Sequence, residues 1–459
     1  MAADNGLFYK QKNVYDLMND AETAECFAYS EAYMKFLTAA KTERLAVREA
    51  VRLAEERGFV PFEYGKKYAP GAKVYDINRG KALTLAIIGK RPASEGANIA
   101  AAHIDSPRLD LKQVPLYEDS QMAFFKTHYY GGIKKYQWVT IPLELHGVVI
   151  RRDGTSVDVS IGAKPGEPQF VITDLLPHLD STQAKKTIAE AIPGENLNLL
   201  IGSIPDAEED GDRVKLKVMK ILNEKYGIIE EDFLSAELEA VPAYDARDIG
   251  FDRSLIGGYG HDDRVCAYAE LAAILDTENP EKTAVCLLAD KEEIGSEGVS
   301  GMLSTNFERF MDELCKQDGC TLYDCFAKSF CISADVCNAY DPNFPEVSDK
   351  RNNAKVNYGL GILKFTGSRG KSGSNDASAE VVGKVRSLFA RNNVVWQMGE
   401  LGKVDQGGGG TVAKFMAQRN IDTIDAGVPV LSMHAPFEVI AKADAYMTYR
   451  GVKAMYNDL

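Results

Sequence analysis

ANIAAAHIDSP, residues 97–107, is the stretch from which the rest of the chain can be read. A short apolar run bounded by turn residues is the pattern of a strand buried on both faces. This one ends on His103, with Asp105 next and Pro107 to stiffen the turn. The same pattern recurs in LTLAIIG (83–89), TAVCLLAD (283–290), FCISAD (330–335) and NVVWQMG (393–399). Between them, apolar residues at spacings of three and four predict one or two amphipathic helices over 14–57, stopped by Gly58 and Pro61. Further helices are predicted over 263–276, over 376–390 and from Phe437 onward. Strands alternating with helices imply an α/β domain with a mostly parallel sheet covered on both faces. Ligands of such sheets bind beyond the carboxyl ends of the strands, where this reading puts His103, Asp290 to Glu293 and Asp335.

From about residue 111 to 242 the character changes. WVTIPLELHGVVI (138–150) and SVDVSIG (156–162) alternate in hydropathy, Gly and Pro punctuate the segment, and an acidic loop occupies 207–212. That is the pattern of an inserted, strand-rich domain. With 459 residues the chain exceeds what one hydrophobic core sustains. The expected division is 1–110 and 245–459 for the α/β domain and 111–244 for the insertion.

The net charge of −14 and pI near 5.1 repel nucleic acid and anionic membranes, and no basic block relieves them. There is no basic segment leading into an apolar core at the start, and no apolar run of about 18 residues, so neither a secretory signal nor a membrane span is expected. The eight cysteines include no C-x-x-C pair, and the group from Cys315 to Cys337 lacks the close pairs of a zinc knuckle; reduced thiols in a cytoplasmic protein fit best.

Five separated strings carry metal-type ligands: HIDSP at His103, GHDDR at Asp262, DKEEIGS at Glu292 and Glu293, SAD at Asp335 and SMHAP at His434. Two hard divalent ions about 3.5 to 4 Å apart need imidazole and carboxylate ligands, a bridging carboxylate and an unligated carboxylate to move protons. Adjacent glutamates after a strand diverge, so one can bind metal while the other faces water. In HIDSP, Asp105 can accept the second ring N–H of His103 and fix its tautomer.

Each string also has a plain reading. A histidine at a strand end is more often a satisfied structural residue, Asp262 and Asp263 both suit a helix start, His261 suits a wall, and DKEEIGS suits a solvated acidic loop. Their coincidence, each after a strand-like run, favours a two-metal centre. The glycine run 407–410 lets backbone approach a ligand or turn tightly into a helix.

In combination, HIDSP, DKEEIGS, SAD and SMH resemble the aspartyl aminopeptidase family, which includes vacuolar aminopeptidase I, and especially its bacterial branch. The resemblance covers nearly the whole chain. It implies a three-layer phosphorylase/hydrolase-like catalytic domain, an inserted β-rich dimerisation domain, and a dodecamer built from dimers. It further implies two divalent ions per subunit, zinc foremost, with cobalt or manganese able to substitute. His103, Asp262 and Asp335 would hold one ion and Asp262, Glu293 and His434 the other, with Glu292 as general base and Asp105 orienting His103. His178, in the PHL string, resembles a histidine given to a neighbouring subunit's site, and Lys364 and Gly408 are further substrate-site candidates.

There are departures too. Cys337 and Asn338 stand where relatives commonly have a histidine after SAD, and Phe437 stands where many have an arginine before the glutamate. A missing arginine removes a carboxylate partner, so the implied preference for acidic N-terminal residues is weakened. The reading is thus a two-metal aminopeptidase acting on peptides. The alternatives are a peptidase or deacylase for neutral residues, or a catalytically silent oligomeric cage or cargo protein; the intact Glu292 and five ligands speak against silence.

Overall fold

The computed structural model describes residues 7–207 and 211–459. Glu208, Glu209 and Asp210, in the acidic loop read from the sequence, lie outside them. The chain forms two compact units: Met1–Asp105, Ala246–Met433 and Phe437–Leu459 make the first, Ser106–Asp245 and His434–Pro436 the second.

The first unit is built on a nine-stranded sheet. At its centre Thr283–Ala289, Ala97–His103, Phe330–Ser333 and Asp422–Gly427 run parallel, flanked by Ala82–Ile87 and Leu360–Leu363, each antiparallel to the central strand it adjoins. The sheet is therefore mixed where a mostly parallel one was expected. One cause is local: only residues 79–81 separate Lys73–Asn78 from Ala82–Ile87, too few for the crossover a parallel pair needs. In the central strands His103 is level with Ala289, and Ser333 with Ala101. That register brings the residues that follow these strands to one edge.

Alternation along each strand divides its side chains between two cores. Ile99 and Ala101 join Val285 and Leu287 against Phe307, Phe310 and Met416. Ala100 and Ala102 join Cys286 and Leu288 against Phe36, Val265, Val385 and Met455. Both faces are thus covered by helices, which is why these strands read as continuous apolar runs.

The helix predicted from Phe437 is corrected by the structure. Glu438–Ala441 is a strand, and the helix begins only at Lys442. The strand pairs with Leu255–Gly258 and Pro429–Leu431 in a five-stranded sheet that no local pattern announced. Its alternating Val439 and Ile440 suit strand geometry, and the partners that decide the matter are remote or folded back by a turn. The glycine run lies just before the helix Val412–Gln418.

The second unit carries a six-stranded sheet, every pair antiparallel. The turn between Arg108–Asp119 and Met122–Tyr130 uses Ser120 and Gln121, both at positive φ, which matches the twist of a two-residue hairpin. A strand-rich reading missed the helix Arg213–Tyr226, closed by Gly227 in the left-handed region. Buried charges here are paired: His146 Nε2 lies 2.8 Å from Glu144 Oε1, and Arg108 reaches Asp110 and Glu239. Among the described residues no helix is long and apolar enough to cross a membrane.

Candidate active site

His103 closes its strand with the ring almost wholly buried. Its Nδ1 lies 3.0 Å from the Asp105 main-chain oxygen and 3.3 Å from the Asp105 carboxylate, so Nδ1 carries an N–H and Nε2 is the nitrogen turned toward the carboxylates. Nε2 faces Asp262 Oδ1 at 3.2 Å, with Asp335 Oδ1 and Glu292 Oε2 each at 3.9 Å.

Glu292 and Glu293 stand in one turn of 3₁₀ helix after the strand Thr283–Ala289, entered through Lys291 in the left-handed region. At three residues per turn, neighbouring side chains point about 120° apart, which gives the two carboxylates different surroundings. The turn is pinned by Asp105. Its Oδ1 accepts the Glu292 N–H at 3.1 Å and its Oδ2 the Glu293 N–H at 3.2 Å. Asp105 therefore joins the imidazole to the glutamate turn, a role that sequence spacing did not reveal.

Asp262 and Asp263 begin the helix His261–Leu275, and both have non-helical backbone angles. The Asp262 N–H donates to Glu438 Oε2 at 3.0 Å. His261 turns away to hydrogen-bond the Tyr33 hydroxyl at 2.7 Å. Burial and the charge of Arg264 push it down to about 3, so it is a neutral wall residue. Asp335 follows the strand Phe330–Ser333 and is seated by Gly427, where a Cβ would collide with the Asp335 backbone.

His103, Asp262 and Asp335 are buried and offer ligand atoms all within 4.8 Å of one another; Glu293 offers a further one within 4.8 Å of Asp262. Burial raises Asp335 well above the carboxylate range, and the charges of Asp263, Asp262 and Glu292 add to it while His103 opposes. Burial opposes a charge on His103, yet hydrogen bonds to Asp105 and Asp262 and the charges of Asp335 and Glu292 win and raise it. So many buried carboxylates in contact must share protons or hold a cation. Imidazole nitrogen with carboxylate oxygen is a donor set that fits zinc, with manganese and cobalt close to it.

None of the remaining candidates belongs to the group His103, Asp262 and Asp335. His434 belongs to the second unit, where its Nδ1 donates to the Gly132 carbonyl at 2.8 Å, leaving the lone pair on Nε2. His178 lies on an exposed stretch of that unit. Lys364 is paired with Asp376 at 2.5 Å, and Lys371 shares the same carboxylate. Gly408, at φ +123°, packs on Gly367 and Ser368 so closely that a Cβ would lie 2.5 Å from backbone atoms, which explains a glycine there without a ligand. Sequence reading missed Thr411, whose hydroxyl donates to the buried Asp425 at 2.7 Å and ties the end of the glycine run to the sheet. Burial lifts Asp425 to about 7 against the hydrogen bonds from Thr411 and Ser333.

The family described as Aminopeptidase I zinc metalloprotease (M18) matches residues 36–456. The probable M18 family aminopeptidase 1 of Clostridium acetobutylicum is 49% identical, covering 99% of this chain and 100% of that one; the Thermotoga maritima protein of the same name is 48% identical, covering 98% and 99%. The crystal structure of the M18 aminopeptidase of Thermotoga maritima superposes with a TM-score of 0.95 at 47% identity, covering 98% of this chain and 100% of that one. The mApe1 dodecamer of S. cerevisiae shares the fold, with a TM-score of 0.75 at 20% identity over 92% of this chain and 95% of that one. A buried imidazole–carboxylate cluster at strand ends, on a backbone that follows its relatives from end to end, has one consistent reading: the chain belongs to the M18 family of zinc metalloproteases and is a metallo-aminopeptidase.

Proposed function

We propose that this chain removes the N-terminal residue of peptides using two divalent cations, zinc foremost. His103, Asp262 and Asp335 would hold one, and Asp262, Glu293 and His434 would hold the other. The observation that carries the reading is His103 Nε2, aimed at Asp262 and Asp335 with Glu292 beside them. Two cations held there would supply Lewis acidity for the scissile carbonyl and the attacking water. Glu292 takes a proton from that water on its carboxylate and returns it to the leaving amine nitrogen. Asp105 keeps the His103 lone pair on Nε2 and holds the backbone of the glutamate turn, so that base and ligand keep a fixed separation.

In the finer reading the first unit is the three-layer phosphorylase/hydrolase-like catalytic domain and the inserted unit mediates dimers that assemble into a dodecamer. His178 acts in a neighbour's site, Lys364 and Gly408 border the substrate, and the eight free thiols suit the cytoplasm. Acidic N-terminal residues are the preference that family resemblance suggests. Neutral residues are a second reading, favoured by Phe437: it stands where the family resemblance implies an arginine, and its ring packs against Gly257.

A panel of aminoacyl fluorogenic substrates, assayed after chelation and reconstitution with zinc, cobalt or manganese, tests both levels. Turnover of some aminoacyl substrates that depends on restored metal is expected, and none by fully metallated oligomer would sink the proposal. The ratio of kcat/KM for aspartyl or glutamyl substrates to that for leucyl or alanyl ones decides the side-chain preference.

A further inference from the structure

We infer that Glu438 is a positioning residue for the metal centre: its carboxylate takes the Asp262 backbone N–H and so fixes where the bridging side chain stands. The inference rests on the role proposed above for Asp262. The helix His261–Leu275 starts without a local cap, because its N-cap residue is Gly260, in the left-handed region and with no side chain to offer. The first N–H groups of a helix have no partner within the helix, and Asp262 and Asp263 are not yet helical. Glu438 provides a partner from 176 residues away, at 3.0 Å and with only 1% of its surface exposed.

Strand pairing explains how it arrives. Glu438 opposes Gly258 in the ladder between Glu438–Ala441 and Leu255–Gly258, and the chain leaves that second strand at Gly258 to reach Asp262. The carboxylate thus stands beside the segment it holds. A buried carboxylate is costly unless its oxygens are satisfied. A charge-assisted bond to a helix N-terminus, where the backbone dipole is positive, offsets that cost and narrows the allowed positions of the N–H. The Tyr33 hydroxyl on His261 braces the preceding residue. Both residues at the start of the helix are therefore held by groups from other elements, and neither of those groups needs to touch a metal.

Zinc affinity of the chelator-stripped, full-length oligomer, by competition with a chromophoric chelator, reads this directly. The wild type should bind two zinc ions per chain. Glu438→Gln keeps an acceptor oxygen at the same reach and should stay within an order of magnitude of wild type. Glu438→Asp keeps the charge but withdraws the acceptor, and should weaken zinc on the order of 10- to 100-fold, the usual cost of losing a group that orients a ligand. Glu438→Ala should do the same; should it fail to fold, the Gln and Asp pair decides alone. Wild-type affinity in Glu438→Asp, or a loss in Glu438→Gln equal to that in Glu438→Asp, overturns the inference. Wild type that binds fewer than two zinc ions, or Asp262→Asn that binds zinc like wild type, overturns the metal assignment itself and the inference with it.

Discussion

Asp105 accepts the His103 ring N–H and the backbone N–H groups of Glu292 and Glu293, so a single carboxylate sets the relation between a proposed ligand and the proposed base. This is why two adjacent glutamates can keep separate tasks. Glu292→Gln preserves shape but cannot take a proton, so kcat should fall on the order of 10² to 10⁴. Metal content should stay near that of wild type; lost metal would move Glu292 into the ligand set, and unchanged turnover would remove it as the base. Asp262→Asn should retain less metal after dialysis than any substitution of a ligand that serves one ion, because a bridge serves both. If Asp263→Asn empties the centre instead, the wrong aspartate has been assigned.

At the scale of the element, the helix His261–Leu275 carries a buried acid. Glu270, on this helix, is fully buried, and burial together with the charge of Asp263 raises it well above its ordinary value against a hydrogen bond from Ala334. The folded chain therefore holds that proton to higher pH than the unfolded chain does. Its contribution to stability is fully present below the unfolded value of 4.5 and is lost as pH rises through the folded value. Glu270→Gln never ionises, so its Tm relative to wild type should climb as pH is raised above the unfolded value of 4.5, across the range in which both chains stay folded. A Tm difference that stays flat across that range would contradict the account. The strand Glu438–Ala441 teaches the opposite lesson about elements: its residues suit a strand, but only Leu255–Gly258 and Pro429–Leu431 make it one.

At the scale of the whole molecule, the assembly role proposed for the second unit makes a prediction of its own. His178 lies among Leu175, Leu176 and Leu179, all exposed, apolar surface that the proposed contact with a neighbouring copy would cover. Two inactive variants should therefore complement each other. His178→Ala subunits mixed with Glu292→Gln subunits, under exchange, should regain part of the activity if His178 is supplied in trans. Proven mixed oligomers without recovery would count against this, as would full activity of His178→Ala alone.

The sequence by itself determined the doubly covered strands, since burial on both faces demands apolar residues at nearly every position of Ala97–His103 and Thr283–Ala289, where only Asn98, His103 and Thr283 are polar. It also placed His103, Glu292 and Asp335 at strand ends, because a strand's end is a local property. What it could not contain is how remote segments meet. The Asp105 bonds to a turn 187 and 188 residues away, the arrival of Glu438 at Asp262, the turning of His261 toward Tyr33 and the five-stranded sheet all depend on the register between distant strands. Register is settled by which side chains fill the shared cores, a property of the assembled fold that no local pattern encodes.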